Sequence, residues 1–465
     1  MSRLAANAQV WTAVYEAFAS VNFGAYDYNS IKTSLIEYIK LNFPEVFNDF
    51  IETSEVIVII ENFAYIAELC AYRIDVSAHE NFISTAQRKE SILRLAKFIS
   101  YTASRPLPAR GLVKITSVRT TENVTDSLGT NITNYTVRWN DTNNSNWKDQ
   151  FITILNKSMQ QSVGYVNPQD RFQIQDVLFE LYHMNNTTMT NGIISYSVST
   201  PTNTLPFELV PVTYDPTYNI IERRPDNSST FSILYGQDGL GDSSETTGFF
   251  MFTKQGKLNK IVAEFDGITP NQSFVVSTHN VNDIDVWVNN VNSEGKLIQT
   301  TGDPNYGEWV AVDTTYNQNI MYNTITQPNK YEIETLPNNQ IKIRFGDGTY
   351  ADIPSGKFNI WTRTSADSDE IIPRNSIVDK TASIPYIDGA GKTQTLTITF
   401  SLISPLQNGS SAESIERIRI NAPGSYYAQD RMVNGTDYNT LMLQDPTIIK
   451  LQSNTGQIPG HYCHY

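Results

Sequence analysis

Apolar residues along the first hundred positions recur at helical spacing. Over residues 29–42, Ile31, Leu35, Tyr38 and Ile39 share one face, and Pro44 marks a stop. Ser54 offers an N-cap with Glu55 in the first turn. A long apolar stretch follows through Val56, Ile59, Ile60, Phe63, Ala64, Ile66, Ala67, Leu69 and Cys70. That stretch is hydrophobic on more than one face, the pattern of a helix with several packing neighbours. A third helix is predicted over 88–99, with Ile92, Leu95, Ala96 and Ile99 at i, i+3, i+4 and i+7. An ordinary helical core accounts for this periodicity by itself; a face for a partner is the other reading it leaves open.

Pro106, Pro108 and Gly111 cannot extend a helix, and beyond them the period changes to two. Leu112, Lys114, Thr116 and Val118 alternate with Val113, Ile115 and Ser117. Strand-like runs recur at 193–199, 248–253, 273–278, 283–289 and 340–345, separated by clusters such as Asp215-Pro216 and Pro337-Asn338-Asn339. No fixed repeat of 20–50 residues is present, which disfavours propellers and solenoids. Near the end, 395–402 alternates like a strand. Helices are predicted over 412–420, capped by Ser410 or Ser411, and 436–443, capped by Thr436 with Asp437 in the first turn. Asp445-Pro446 ends the last of these, and 447–451 reads as a short strand. The expected fold is α+β and multidomain: a helical region over 1–105, a β-rich domain over 106–270, a second β-rich domain over 271–404 and a small mixed α/β segment over 405–465.

Composition sharpens this picture. The 465 residues call for roughly three domains at about 100–200 residues each. With 40% hydrophobic residues there is enough material for packed cores, so wholesale disorder is excluded. Lys and Arg number 34 against 48 Asp and Glu, a net charge of −14, which argues against binding nucleic-acid phosphates as the main task. The imbalance is local. Residues 1–110 hold 10 basic and 12 acidic side chains, so the rest carry 24 − 36 = −12. The nearly neutral helical region is the better candidate for burial against partners, where unpaired charge is costly. Cys70 and Cys463 lie near opposite ends, so a disulfide framework is not expected and a reducing compartment fits. The start, Met1-Ser2-Arg3-Leu4-Ala5, is not of the signal-peptide kind, and no run approaches the roughly 20 apolar residues of a membrane helix.

Candidate catalytic chemistry is sparse. The histidines, His79, His183, His279, His461 and His464, belong to no H-E-x-x-H or paired-cysteine motif, and no G-x-S-x-G elbow or phosphate loop is present. His461, Cys463 and His464 group soft metal ligands, but a closed tetrahedral site draws on two separated pairs, so a terminal tail is the plainer reading. Asp238, Asp242 and Glu245 in a glycine-rich stretch miss the EF-hand spacing and read as a solvated loop. Asp347 in Phe345-Gly346-Asp347-Gly348 follows the alternating Ile341, Ile343 and Phe345, which predicts a tight turn rather than a catalytic aspartate. Nothing selects a pair of carboxylates for glycosidase work.

Three stretches carry a resemblance. The first is Asn81-Phe82-Ile83-Ser84-Thr85-Ala86-Gln87-Arg88 with Ser91-Ile92-Leu93-Arg94-Leu95-Ala96. The second is Ile343-Arg344-Phe345-Gly346-Asp347-Gly348 with Pro354-Ser355-Gly356-Lys357. The third is Glu413-Ser414-Ile415-Glu416-Arg417-Ile418-Arg419-Ile420-Asn421-Ala422-Pro423, then Gln429-Asp430-Arg431-Met432-Val433-Asn434-Gly435-Thr436-Asp437-Tyr438. In this order they resemble the baseplate J-like family of contractile-tailed bacteriophages, and within it the large wedge proteins of T-even-like myoviruses. Asn434 stands where the family usually has Thr. Residues 120–330 carry no assignable motif.

The resemblance implies a structural, non-enzymatic virion protein of the tail baseplate, assembled in the host cytoplasm. It implies a homodimer with a second copy in each wedge, and N-terminal helices that bundle with other wedge proteins. Neighbouring wedges and the tail sheath or hub are further contacts, in a ring that rearranges when the sheath contracts. It implies no cofactor, metal, nucleic acid or membrane. On this view 1–105 is the wedge bundle region, 271–404 the J-like domain with its FGDG turn, and 405–465 the J-like C-terminal segment. Candidate interface residues are Val56, Ile60, Phe63, Leu69, Ile92, Leu95 and Ile99; Phe345, Gly346, Asp347, Gly348, Arg431, Asp437 and Tyr438 are structural motif residues. Wedge proteins continue into a dimerising C-terminal region, so an end at Tyr465 reads as a short relative or a truncated product. The alternative class is a carbohydrate-active or receptor-binding tail protein, also β-rich and acidic but without need of the N-terminal helices or the ordered motifs.

Overall fold

The computed structural model describes residues 27–42, 55–125, 131–139, 146–157 and 170–428, the last with breaks at 187, 190–191, 202, 218, 227–228, 243, 299–306, 313–328, 350 and 370. These residues form two compact units. One runs up to Ala103 and resumes at Ser414; the other is Ser104–Glu413.

The first unit is helical: α1 (Tyr28–Asn42), α2 (Glu55–His79), α3 (Lys89–Phe98) and, from beyond the β-rich unit, a returning C-terminal helix (Ile415–Ala428). Glu61 of α2 pairs with Lys32 of α1 at 2.6 Å. The loop after α2 is closed by its own polar groups. Thr85 Oγ1 donates to the His79 carbonyl at 2.7 Å, and the Glu80 carboxylate accepts the backbone N–H groups of Gln87 and Arg88 at 2.9 and 3.2 Å. Glu80 thereby satisfies a donor at the start of α3, where Arg88 offers no side-chain cap. Ala86, Ile92 and Ala96 then pack with Ile418 and Ala422 of the returning helix, and Arg419 donates to the Ala86 carbonyl. Two of the three motif stretches, more than 300 positions apart by number, thus share one small core. The returning helix runs through Pro423, past the end predicted at 420.

In the second unit the chain lays down β1 (Arg110–Thr120), β2 (Val124–Thr125), β3 (Asn131–Ile132), β4 (Thr136–Arg138), helix α4 (Trp147–Lys157), β5 (Asp170–Ile174), β6 (Val177–Asn185), β7 (Ile194–Ser199), β8 (Thr204–Val210), β9 (Val212–Asp215), β10 (Asn219–Glu222), β11 (Thr230–Gln237) and β12 (Gly248–Gln255). Then come β13 (Lys257–Asp266), β14 (Ser273–Val276), β15 (Val281–Val291), β16 (Glu308–Val312), β17 (Lys330–Thr335), β18 (Ile341–Phe345), β19 (Ser355–Thr364), β20 (Lys380–Ile387) and β21 (Thr393–Leu402); the returning helix is α5. A ten-stranded sheet has the order β20-β21-β1-β12-β11-β6-β5, with β4 on β1 and with β8 bridging β12 and β7. It branches because β11 and β8 each take part of β12, at 248–250 and 252–255. Helix α4 covers one face, where Phe151 stacks on Phe249 with centroids 4.8 Å apart. The second sheet has seven strands, β13-β19-β15-β16-β17-β18-β14, antiparallel except for the parallel pair β16 and β17. Phe345 is fully buried there among Phe265, Trp309 and Phe358, with centroids 4.8, 5.2 and 5.9 Å away.

The β-rich α+β class agrees with the alternation in the sequence, while the division of the middle differs from it. The seven-stranded sheet occupies 257–364 and interrupts the ten-stranded one, so β13 lies before the expected boundary at 270/271 and β20 and β21 lie after the sheet to which that domain assigned them. Turn signals mark where a strand ends; they carry nothing about which distant strand it will join, here β21 on β1. The chain changes sheets at Gly256, whose φ of +108° belongs to glycine; a Cβ there would lie 1.8 Å from the Thr364 carbonyl oxygen. Asp347 caps the FGDG turn, accepting from Thr349 N–H at 2.9 Å, and because β18 pairs with β17 and β14 and not with β19, the turn connects non-adjacent strands. Gly346 permits the close return, since a Cβ would meet the Ala351 carbonyl oxygen at 2.2 Å.

Candidate functional site

Two features of the described residues stand apart from ordinary packing. The first is the surface of α2. Ile57, Ile60 and Ala64 form the stripe it buries. Val58, Ile59, Phe63, Tyr65, Ile66, Tyr72 and Ile74 are 50% to 66% exposed, and Leu69 is 41% exposed. Ile59, Phe63 and Ile66 follow i, i+4, i+7 spacing; Val58, Tyr65, Leu69 and Tyr72 line a second row. Together they present on the order of 800 Å² of apolar surface, the area each partner gives to a standard stable interface. Scattered single exposures need no explanation, but two continuous rows on one helix do.

The candidate interface residues therefore separate. Phe63 and Leu69 are on this exposed surface, and Val56 is half-buried. Ile60 is buried, Ile92 is buried in the core that α3 shares with α5, and Leu95 and Ile99 are partly buried against that core. The sequence marks α2 as apolar on more than one face and α3 as apolar on one; the partner that covers α3 is α5, supplied from the far end of the chain. Phe345 is core, and Gly346, Asp347 and Gly348 form the connection described above. Arg431, Asp437 and Tyr438 lie outside the described residues, as do His461, Cys463 and His464 and the helix and strand expected after 436.

The second feature is a buried ionic junction that the sequence did not mark. Arg363 of β19 pairs with Glu208 of β8 and Glu222 of β10, and its Nε lies 3.4 Å from Asp285 of β15. Lys254 of β12 pairs with Asp285 and, at 2.9 Å, with Glu222. All five side chains are at most 6% exposed. The backbone N–H of Leu258 donates to both Glu208 oxygens at 3.1 Å, and Asn282 Nδ2 donates to Asp285 at 2.6 Å. Two further arginines extend the junction. Arg105 donates to the carbonyls of Asn282 and Asp283 and pairs with the Asp283 carboxylate at 3.1 Å. Arg224 reaches the carbonyls of Val288 and Trp309 at 2.8 and 3.0 Å and Asn289 Oδ1 at 2.6 Å. Three arginines from outside and inside the seven-stranded sheet thus fasten it to the ten-stranded sheet and the β9–β10 hairpin.

Three carboxylates against two cations leave the central cluster at −3 + 2 = −1. Burial alone would lower the Arg363 guanidinium; Glu222, Glu208 and Asp285 together outweigh it and hold the group firmly charged. Burial pushes the Glu208 carboxyl up from 4.5, although Arg363 and the Leu258 N–H pull the other way. An excess carboxylate in a dry, net-negative site is the least stable charge. Because Glu208 binds its proton more tightly folded than unfolded, that contribution to stability is fully present below pH 4.5 and is lost as pH rises through the folded value. Urea midpoints measured from pH 4.5 to 7 are expected to fall in the native chain relative to Glu208→Gln. Parallel curves would remove Glu208 from the titration.

The other sequence candidates do not converge on a ligand. Asp238 accepts from Leu240 N–H at 2.9 Å and from the hydroxyls of Ser244, Thr246 and Thr247, and these bonds, the Ser244 hydroxyl foremost, hold its carboxyl well below the usual range. Glu245 pairs with Arg374 at 2.8 Å. Lys114 lies over the Trp139 ring and donates to the carbonyls of Ser244 and Glu245; burial pushes its ammonium down to about 8. Asp347 edges an open depression with Asn271, Ser273 and Arg344. Among the described residues no three His, Cys, Asp or Glu side chains are grouped to hold a metal, and no helix is long and apolar enough to cross a membrane.

No curated protein matches the chain. Among solved structures it is similar, at 8% identity and a TM-score of 0.25 over 84% of this chain and 81% of the other, to a chain of the type VI secretion system TssK-TssF-TssG baseplate subcomplex. A superposition at that score does not establish a common fold. Residues 111–405, the β-rich unit almost from end to end, match the family described as "Domain of unknown function (DUF8360)", and the chain belongs to that family.

Proposed function

We propose that the chain is a non-catalytic structural component of a contractile-tail baseplate, of the wedge type, which assembles through its N-terminal helices with other baseplate proteins. The observation that carries this reading is α2, which buries only Ile57, Ile60 and Ala64 and turns two apolar rows to water. A helix hydrophobic on more than one face needs more than one packing neighbour, and a partner's helices supply one. The near-neutral charge of the helical region favours the same use. Support also comes from the resemblance: its motif at 81–96 and its motif at 413–423 meet in one core, which gives a physical reason for both stretches. In the wedge role the helical unit is the assembly element and the β-rich unit fills the ring between neighbours.

A cryo-EM map of the assembled tail end tests this. The chain is expected in a ring around the base of the tail tube, with α2 buried against helices of other chains. A position at a fibre tip, or hydrolysis of cell-wall glycans by the purified protein, would overturn the proposal in favour of the receptor-binding or carbohydrate-active class.

A further inference from the structure

We propose that β13 is a docking edge for a second copy of this chain, the two β13 strands pairing antiparallel about a two-fold axis through Val262. β13 is the end strand of the seven-stranded sheet, and it pairs with β19 over ten residues without a register shift. It carries neither a proline nor a bulge, and of the devices that blunt an edge it has only charged side chains, Lys257, Lys260, Glu264 and Asp266. Three hydrogen bonds fix which backbone groups face outward. Gly267 N–H donates to the Pro354 carbonyl on the β19 side, whereas Gly256 N–H donates to Pro206 and Leu258 N–H to Glu208, both on the opposite side. By alternation, Val262 and Glu264 direct their N–H and C=O groups away from β19. Val262 is 61% exposed, and its neighbours Lys260 and Glu264 share its exposed face.

The charge order selects the partner. About a two-fold axis through Val262, Lys260 of each strand lies opposite Glu264 of the other, and Val262 lies against Val262. Moving the axis to Lys260 or to Glu264 sets like charges face to face, which is destabilising, and moving it to Ala263 keeps Lys260 opposite an acid, Asp266, but sets Val262 against the Glu264 carboxylate. In the Val262-centred register the outward groups of one strand oppose outward groups of the other, as an antiparallel ladder requires. The edge is therefore complementary to itself. This inference uses no part of α2; a second copy is also what the wedge reading implies, and variants in β13 test this edge separately from any other self-contact.

Sedimentation velocity of the full chain at micromolar concentrations tests it. The native chain is expected to dimerise, and Val262→Pro to be monomeric with unchanged circular dichroism, because an edge tolerates proline where the lost N–H faces outward. Lys260→Glu is expected to weaken self-association roughly tenfold or more, and adding Glu264→Lys to restore it. This charge exchange decides the matter even if the proline variant unfolds. With Cys70 and Cys463 changed to Ser, Val262→Cys is expected to form a disulfide-linked dimer on mild oxidation, since directly opposed residues lie about 5.5 Å apart at Cα. A native chain that stays monomeric, a dimer that persists in a folded Val262→Pro, or no restoration by the double exchange would overturn the proposal.

Discussion

Arg363→Met is expected to cost the β-rich unit about 3–5 kcal/mol, the usual loss when one member of a buried ion network is removed. The guanidinium touches all three carboxylates of the junction, and its loss leaves Glu208, Glu222 and Asp285 with Lys254 alone, a charge of −3 + 1 = −2 in a site closed to water. Methionine fills much of the space but returns none of the charge. Urea unfolding followed by tryptophan emission reads the loss, since Trp361 lies two residues away on the same strand and is fully buried. The companion variant adds Glu208→Gln and Glu222→Gln, which leaves Asp285 and Lys254 as a balanced pair. Most of the lost stability is expected to return, because the cost lies in uncompensated charge rather than in lost contacts. A single-variant loss under about 1 kcal/mol, the range of exposed ion pairs, would mean that water reaches the cluster.

That junction also shows where legibility in the sequence stops. The helices at 29–42 and 89–98 are visible as apolar periodicity because each shows one face to water and another to its unit, and 55–79 is visible as a long apolar stretch. Strands such as β20 and β21 alternate for the same reason, with inward positions buried and outward ones open. β11, β12 and the second half of β19 are buried on both sides, so their sequences lose the period of two, and only pieces of them are readable. The five charged residues of the junction come from five strands spread over 155 positions, and each alone looks like a solvent-facing charge. One local signal was available: Arg363 and Lys254 sit in stretches too apolar for an outward charge, Trp361-Thr362-Arg363 and Phe252-Thr253-Lys254. What they pair with follows from the insertion of a whole sheet after β12, which pattern along the chain does not contain. The α2 surface was legible as a helix hydrophobic on more than one face. Which of its faces stay in water was not, because the helix buries only the stripe of Ile57, Ile60 and Ala64.

Phe63→Glu combined with Ile66→Glu is expected to leave the isolated chain's unfolding within about 0.5 kcal/mol of native, as for surface substitutions away from packing. The same pair is expected to weaken association with baseplate partners by roughly a thousandfold. Each side chain is more than half exposed in the chain alone, so its burial free energy, about 2 kcal/mol, is available to a partner and lost with the substitution. Placing two carboxylates in the contact adds a desolvation penalty on top. The contrast with α3 gives the experiment its meaning. Ile92 is fully buried and Leu95 packs against the core shared with α5, so acidic substitutions there unfold the helical unit and abolish association for a trivial reason. Co-expression with neighbouring tail proteins, followed by affinity purification and circular dichroism of the recovered chain, separates the two cases. A folded double variant that still co-purifies at native yield would show that α2 is not the assembly surface, and the wedge proposal would lose the observation on which it rests.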